Sequence, residues 1–364
     1  MATKGIYLPG LNGIRAIAAL AVLIGHVSMT IRGFHHVDLM PFKIEFGGYA
    51  VTMFFTLSGF LITYLLLIEK EKAGTVNIKQ FYFRRILRIW PLYYLYLVLS
   101  LLLIFFFKLD VPEGQLLYYV FLCGNIPIMF MMPVYPLIAH FWSIGVEEQF
   151  YLFWPWVVKY SKKIFAVIIA ITIILIMARI CLRLLELRYG YKFFIGSNFF
   201  VFLRFQCMAI GGIGAYLYYK GKNISILTNP LLNIFSWGIF LLCFANELDR
   251  VPFFGHEVLS IATVFIIVSQ ITGRNKIFSL ENKLFNFLGK LSYGIYVIHP
   301  MVLFFIFKYY SSIGADGIFS ALLLYLSAIL FTVLLSYLSY NYYERRFLKL
   351  KSKFAIVKSS PDHS

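Results

Sequence analysis

The sequence predicts an all-α fold, a polytopic transmembrane helix bundle of about ten crossings with one re-entrant or irregular segment and both termini cytoplasmic. Three observations carry this expectation. The 364 residues are 61% hydrophobic and 13% charged, against about 45–50% and about 25% in an ordinary soluble domain. Apolar runs of roughly the 20 residues needed to cross a bilayer recur from Leu11 to the tyrosine-rich segment near Tyr343, with short polar breaks. The basic residues gather in those breaks. The chain therefore reads as one transmembrane domain over 1–350 and a short cytoplasmic tail over 351–364, without an appended soluble domain.

The first run, Leu11 to Ile31, contains Arg15 and His26 and is followed by no small-x-small cleavage pattern, so it is expected to be a retained helix and not a signal peptide. The second run, Gly48 to Ile68, leads into the densest basic block, which holds Lys70, Lys72, Lys79, Arg84, Arg85 and Arg88. Cytoplasmic loops carry the Lys/Arg excess. Placing this block inside puts the N-terminus inside as well. Further along, Lys159/Lys162/Lys163, Lys220/Lys222, Arg274/Lys276/Lys283/Lys290 and the group from Arg345 to Lys358 fall on the same side. The formal charge of +17 thus follows the membrane. Lipid is the expected partner, and nucleic acid is not.

One step needs a special form. Two apolar runs between Leu116 and Val158 would, if both crossed, put Lys159 to Lys163 outside. The run Leu116 to Met132 is broken by Gly124, Asn125 and Pro127. It is therefore expected to be re-entrant or irregular, a form tolerated only where protein or a water-filled cavity covers it.

Ionisable groups at membrane depth cost about 2.5–3.5 kcal/mol on insertion scales, so they face the bundle interior and commonly have work to do. Arg15 and His26 are eleven residues apart, about three helical turns and roughly 16 Å, and so share one face. A neutral imidazole there can accept a proton or attack a carbonyl; a histidine that only satisfies the core would show the same spacing. Arg85 and Arg88, three apart, can act as a fork for phosphate or carboxylate. Beside Trp90, Tyr93 and Tyr94 they also fit an interfacial anchor.

His140, Ser143, Glu147 and Tyr151 make one polar stripe at helical spacing, with Glu148 off it. The alternative is a structural hydrogen-bond network between helices. A fainter stripe, Ser292, Tyr296 and His299, is expected to line the same cavity, although Pro300 suits a helix kink equally well. Gly211, Gly212 and Gly214 are expected to serve close helix packing. Ser58-Gly59 lacks the upstream glycine of a nucleophile elbow. The four cysteines stand singly in apolar stretches, and nothing has metal-ligand spacing, so no metal is expected.

At these residues the sequence resembles the acyltransferase-3 family of bacterial integral membrane O-acyltransferases. The matching stretches are Gly13 to His26, Phe54 to Thr63, Phe81 to Tyr94 and Trp142 to Tyr151, with Leu288 to Pro300 similar to the family's C-terminal signature. From about Ser161 to Asn286 only hydropathy matches. The resemblance implies transfer of an acyl group, usually acetyl from acetyl-CoA, to a hydroxyl of a cell-envelope glycan or glycolipid at the bacterial inner (cytoplasmic) membrane. By position it implies catalytic roles for His26, Arg15 and Glu147 and donor binding by Arg85 and Arg88. Trp142, Ser143, Tyr151 and His299 are expected to support the substrate site. Many family members have an acidic residue shortly before the Phe-Phe pair, where this chain has Thr52. The resemblance also suggests that a chain this short acts alone or with separate partners.

The residues leave a rival of another class, a proton-coupled transporter or flippase for a polar envelope precursor, since interior His, Arg and Glu serve such carriers too. The lack of an internal repeat counts against it.

Overall fold

A computed structural model describes residues 6–35, 47–244, 254–310 and 318–354. Among the described residues the regular elements are helices: α1 (Leu11–His35), α2 (Gly47–Ala73), α3 (Ile78–Phe107), α4 (Leu116–Val120), α5 (Asn125–Met129), α6 (Trp142–Tyr160), α7 (Ile164–Tyr189) and α8 (Phe194–Leu203) in the first part. There follow α9 (Phe205–Tyr219), α10 (Ile224–Leu227), α11 (Pro230–Phe244), α12 (Gly255–Thr272), α13 (Lys283–Tyr310), α14 (Ile318–Ser339) and α15 (Arg345–Lys351). Of the tail expected over 351–364, everything from residue 355 onward lies outside the described residues, as does Lys4.

Among the described residues, eight helical stretches are long and apolar enough to cross a membrane: α1, α2, α3, α7, α8 with α9, α12, α13, and α14 continuing into α15. The protein is an integral, multi-pass membrane protein. Two further helices fall short of that description for separate reasons. The 19-residue α6 carries Glu147, Glu148 and Lys159, and α11 has 15 residues.

With lipid outside and no water to drive collapse, helices in a bilayer associate by close packing at small residues. The α2–α9 crossing is built this way from both sides. A Cβ on Gly59 would lie 2.0 Å from the Met208 carbonyl oxygen, and one on Gly211 would lie 2.1 Å from that of Thr56. A Cβ on Gly214 would lie 2.4 Å from Val264 Cγ1 of α12, so the glycine cluster does serve helix packing. A Cβ on Gly289 of α13 would lie 2.2 Å from the Asn12 carbonyl oxygen of α1, so the missing side chain lets the starts of these two helices pack together.

The helix ends carrying the basic block are tied to one another. Lys70 at the end of α2 donates to the carbonyls of Val158, Lys159 and Ser161 at 2.7, 2.9 and 3.2 Å, capping the C-terminus of α6. Glu69 accepts from the Asn77 amide at 2.8 Å and pairs with Arg84 at 2.7 Å, fixing the α2–α3 turn.

The broken run after α3 takes the form of two one-turn helices, α4 and α5, with left-handed backbone at Leu122 and Met131. Irregular backbone at membrane depth needs its carbonyls satisfied by protein. Tyrosines of α3 do much of this: Tyr93 donates to Tyr119 O at 2.6 Å, Tyr94 to Val120 O at 2.9 Å and Tyr96 to Leu137 O at 3.0 Å. Asn198 of α8 donates to the carbonyls of Ile128 and Met129. Asn125 and Gln149 exchange amide hydrogen bonds at 2.9 and 2.8 Å, joining the segment to α6. The segment is thus irregular and protein-covered.

Candidate active site

A cavity of about 100 Å³ opens among α1, α2, α3, α6 and α13. Arg15 enters it from α1, Ser58 from α2, Arg85 and Arg88 from α3, Ser143, Glu147 and Tyr151 from α6, and Ser292 and Tyr296 from α13. The helical spacing of each set explains the convergence, since residues three or four apart on a helix share a face.

The carboxylate of Glu147 accepts from the Ser58 hydroxyl at 2.8 Å and from the Tyr151 hydroxyl at 3.2 Å. Ser58 is thereby a cavity hydroxyl held by a carboxylate, and no nucleophile elbow surrounds it. Glu148 points away from this stripe and accepts from the Trp90 indole at 3.1 Å. The Arg85 guanidinium lies 5.4 Å from the Tyr151 ring centroid and 5.6 Å from that of Phe81, and its buried Nε has no partner among the described residues. The salt bridges among the described residues are Arg84–Glu69, Arg179–Glu257 and Arg183–Glu186; none involves Arg15, Arg85 or Arg88. Three guanidiniums thus line a partly enclosed cavity without a paired carboxylate, an arrangement suited to a multivalent anion.

His26 is not in the wall of this cavity. Its Nδ1 lies 2.9 Å from the Val22 carbonyl oxygen. A carbonyl only accepts, so Nδ1 carries the proton and donates, which leaves a lone pair on Nε2 of the neutral ring. The ring meets that of His299 at 4.8 Å between centroids. His299 donates from Nδ1 to Ile295 O at 3.2 Å and lies 5.3 Å from the ring of His140. His140, in the single 3₁₀ turn ahead of α6, donates from Nε2 to Val297 O at 3.1 Å. His299 Nε2 and His140 Nδ1 are buried without a partner among the described residues.

Tyr296 joins the two regions. It lines the cavity, donates to His140 O at 2.8 Å, hydrogen-bonds Ser143, and has its ring 5.6 Å from His140 and 6.0 Å from His299. Of the fainter stripe, Ser292 and Tyr296 line the cavity, whereas His299 lies outside its wall against His26, and α13 runs on through Pro300 to Tyr310.

The structure brings Arg15, Arg85, Arg88, Ser143, Glu147 and Tyr151 into one cavity, with His299 against His26. It does not bring Glu147 to His26: the group touching the histidine is another histidine. Trp142 lies elsewhere too, under the guanidinium of Arg204 at 5.3 Å.

Arg204 belongs to a second polar cluster that sequence reading missed, because it is assembled from one or two residues on each of four helices and the α8–α9 break. It donates to Gly48 O at 2.6 Å and to the Thr52 hydroxyl at 3.2 Å. Thr52 also lies 2.9 Å from His256 Nδ1. Glu257 beside it receives Arg179 at 2.6 Å and Gln206 at 3.0 Å. Thr52, which stands where many members of the resembled family have an acidic residue, thus offers a hydroxyl shared between an arginine and a histidine. The signal available in sequence was the isolated Arg204 at the end of an apolar run.

The described residues contain no group of three or more His, Cys, Asp or Glu able to hold a metal ion.

The profile of the acyltransferase domain family matches residues 8–341. The chain is 28% identical over 364 residues to the O-acetyltransferase OatA of Staphylococcus aureus (strain NCTC 8325), an alignment covering 93% of this chain and 57% of that protein. It is 29% identical over 374 residues to a Staphylococcus aureus (strain COL) protein provisionally assigned O-acetyltransferase activity, covering 94% of this chain and 58% of the relative. The chain thus spans somewhat more than half the length of the curated relatives it matches. No solved structure matches it. On the family match across nearly its whole length, the chain belongs to the acyltransferase-3 family.

Proposed function

We propose that the protein is a membrane O-acyltransferase that moves an acyl group, acetyl by analogy with its named relatives, from cytoplasmic acyl-CoA to a hydroxyl of a cell-envelope glycan or glycolipid in the bacterial inner membrane. The observation that carries the reading is the cavity lined by Arg15, Arg85 and Arg88 with no paired carboxylate. Phosphates of coenzyme A are multivalent anions delivered from the cytoplasm, and guanidinium forks hold such groups bidentately. Counting α6 and α11 with the eight longer stretches gives ten crossings and both termini inside. The basic block at Arg84 to Arg88 then lies on the donor's side, and the single domain spans 1–350 with the tail beyond it.

In this reading Arg85 and Arg88 bind the phosphates, and the thioester arm extends past Ser143 and Tyr296 toward His26. Arg15 adds charge at the mouth and orients the donor. Glu147, engaged by Ser58 and Tyr151, holds those hydroxyls in the wall and offsets the guanidinium charge. Trp142 supports the second polar cluster through Arg204, and His299 supports His26.

The chemistry takes one of two routes through His26 Nε2. As general base, the imidazole takes the proton of the acceptor hydroxyl as its oxygen attacks the thioester carbon. The C–S bond breaks, and the thiolate leaves with that proton as CoA-SH. As nucleophile, Nε2 itself attacks the thioester carbon and releases the thiolate. The acceptor oxygen then displaces the imidazole, and its proton goes to the thiolate. Ping-pong kinetics select the second route and a ternary pattern the first.

The test is transfer of label from radiolabelled acetyl-CoA to extracted envelope glycolipids by purified protein in nanodiscs, with His26→Ala as comparison. Label reaching the glycolipid with wild type alone supports the reading. No transfer and no thioester loss with wild type overturns it in favour of a carrier.

A further inference from the structure

The last described residues of the chain pack against the end of α3 that carries the arginine pair. After α14 a π turn over Tyr340–Glu344 widens the helix and re-aims α15, whose last residue is Lys351. This segment is fastened along α3 on both sides of the arginine pair. Tyr343 donates to Pro91 O at 3.1 Å, Arg84 donates to Phe354 O at 2.9 Å, and the rings of Phe83 and Phe354 stack at 5.2 Å and 16°. Pro91 lies just beyond Arg88 in the chain, and Phe83 and Arg84 lie just before Arg85. A segment pinned at both points runs along the stretch of α3 that carries Arg85 and Arg88.

Lys351 there is within Coulomb reach of Arg15, Arg84, Arg85 and Arg88. Arg84 is neutralised by Glu69 at 2.7 Å. No salt bridge among the described residues involves the other three arginines or Lys351. The acidic groups of the region are engaged by neutral donors: Glu147 by Ser58 and Tyr151, Glu148 by Trp90, and Glu344 by Ser339 at 3.0 Å. Like charges gathered at a partly dehydrated mouth repel one another, and the repulsion grows as the local dielectric falls. A bound anion of several charges removes that repulsion.

We propose that α15 is the cytoplasmic cover of the donor pocket and that Lys351 binds a phosphate of the acyl-CoA nucleotide alongside Arg85 and Arg88. This assignment rests on the acyl-CoA reading above. Its chemical basis is a division of the donor: the uncharged pantetheine arm enters the cavity, and the phosphates remain at the mouth, where the cations of α1, α3 and α15 converge.

Calorimetric titration of coenzyme A into the full chain in nanodiscs tests the assignment, with wild type, Arg88→Ala, Lys351→Gln and Lys351→Arg measured side by side. Losing one charge-assisted contact is expected to weaken binding about tenfold in Lys351→Gln, and Lys351→Arg is expected to keep wild-type affinity within about threefold. The arginine variant guards against a purely structural loss, because it retains the stem and the charge. Lys351→Gln binding like wild type while Arg88→Ala is weakened overturns the role of α15 and leaves the donor reading standing. Wild-type affinity in both Arg88→Ala and Lys351→Gln overturns the donor reading and this inference with it.

Discussion

The imidazole of His26 on α1 meets that of His299 on α13 with ring centroids 4.8 Å apart and planes tilted by 52°. The contact pairs a half-buried ring, whose Nε2 is left free by the bond to Val22, with a fully buried ring whose Nε2 has no partner among the described residues.

Replacing His299 by phenylalanine keeps an aromatic ring against His26 and removes both nitrogens. If His299 positions His26 and helps hold its proton, kcat for acetyl transfer falls by about 10²-fold, and KM for acetyl-CoA stays within about twofold, because the proposed reading puts the donor's phosphates at the arginine mouth. The pH dependence of kcat should shift as well. Steady-state kinetics from pH 5 to 9 check this, and an unchanged kcat and profile would reduce His299 to packing.

The α2–α9 crossing sets the position of Ser58, next to Gly59. A Cβ at Gly59 would sit 2.0 Å from the Met208 carbonyl oxygen, a backbone atom that cannot rotate away. Gly59→Ala is therefore expected to separate the two helices, to lower the thermal midpoint in detergent by several degrees, and to lose the monodisperse peak on size exclusion. Gly238→Ala, where a Cβ meets nothing within 4 Å, serves as the tolerated control. Equal behaviour of the two variants would show that this contact does not hold the bundle.

At the start of α1 the chain is tied to the loop before α13. Glu281 accepts from the Tyr7 hydroxyl, from the Gly10 amide at 2.7 Å and from Asn286 at 2.5 Å. Burial pushes its carboxyl pKa up, but these hydrogen bonds and Lys276 outweigh that and leave it below the ordinary 4.5. A carboxylate with a depressed folded-state pKa adds stability that is complete above its unfolded value and is lost as pH falls through the folded one. The same contact pushes the Tyr7 hydroxyl up to about 12, chiefly through burial and then through Glu281, so its share is present below pH 10 and lost as pH rises through about 12. Thermal midpoints should fall below about pH 4.5 in wild type and show a shallower acid limb in Glu281→Gln. Parallel acid limbs would exclude this link.

Much of the site was legible in the linear pattern because helical periodicity is local. The stripe Ser143, Glu147 and Tyr151 and the pair Arg85 and Arg88 follow from residues three or four apart on single helices, and each set lines the cavity. The irregular stretch after α3 was legible for a similar reason, since Gly124, Asn125 and Pro127 interrupt an apolar run. What stayed hidden depends on which helices become neighbours. The Arg204, Thr52 and His256 cluster joins residues far apart in the chain, and no periodicity within one helix announces it.

The sequence by itself determined that this chain lives in a membrane, which faces of its helices are polar, and where its cationic block lies. Those properties depend on composition and on a 3.6-residue period. Only the tertiary structure decided that Glu147 serves Ser58 and Tyr151 instead of His26, that His299 is the group against His26, and that the segment around α15 returns to α3. These are consequences of helix packing at Gly59, Gly211 and Gly289, where backbone meets backbone and the missing side chain sets which residues face each other.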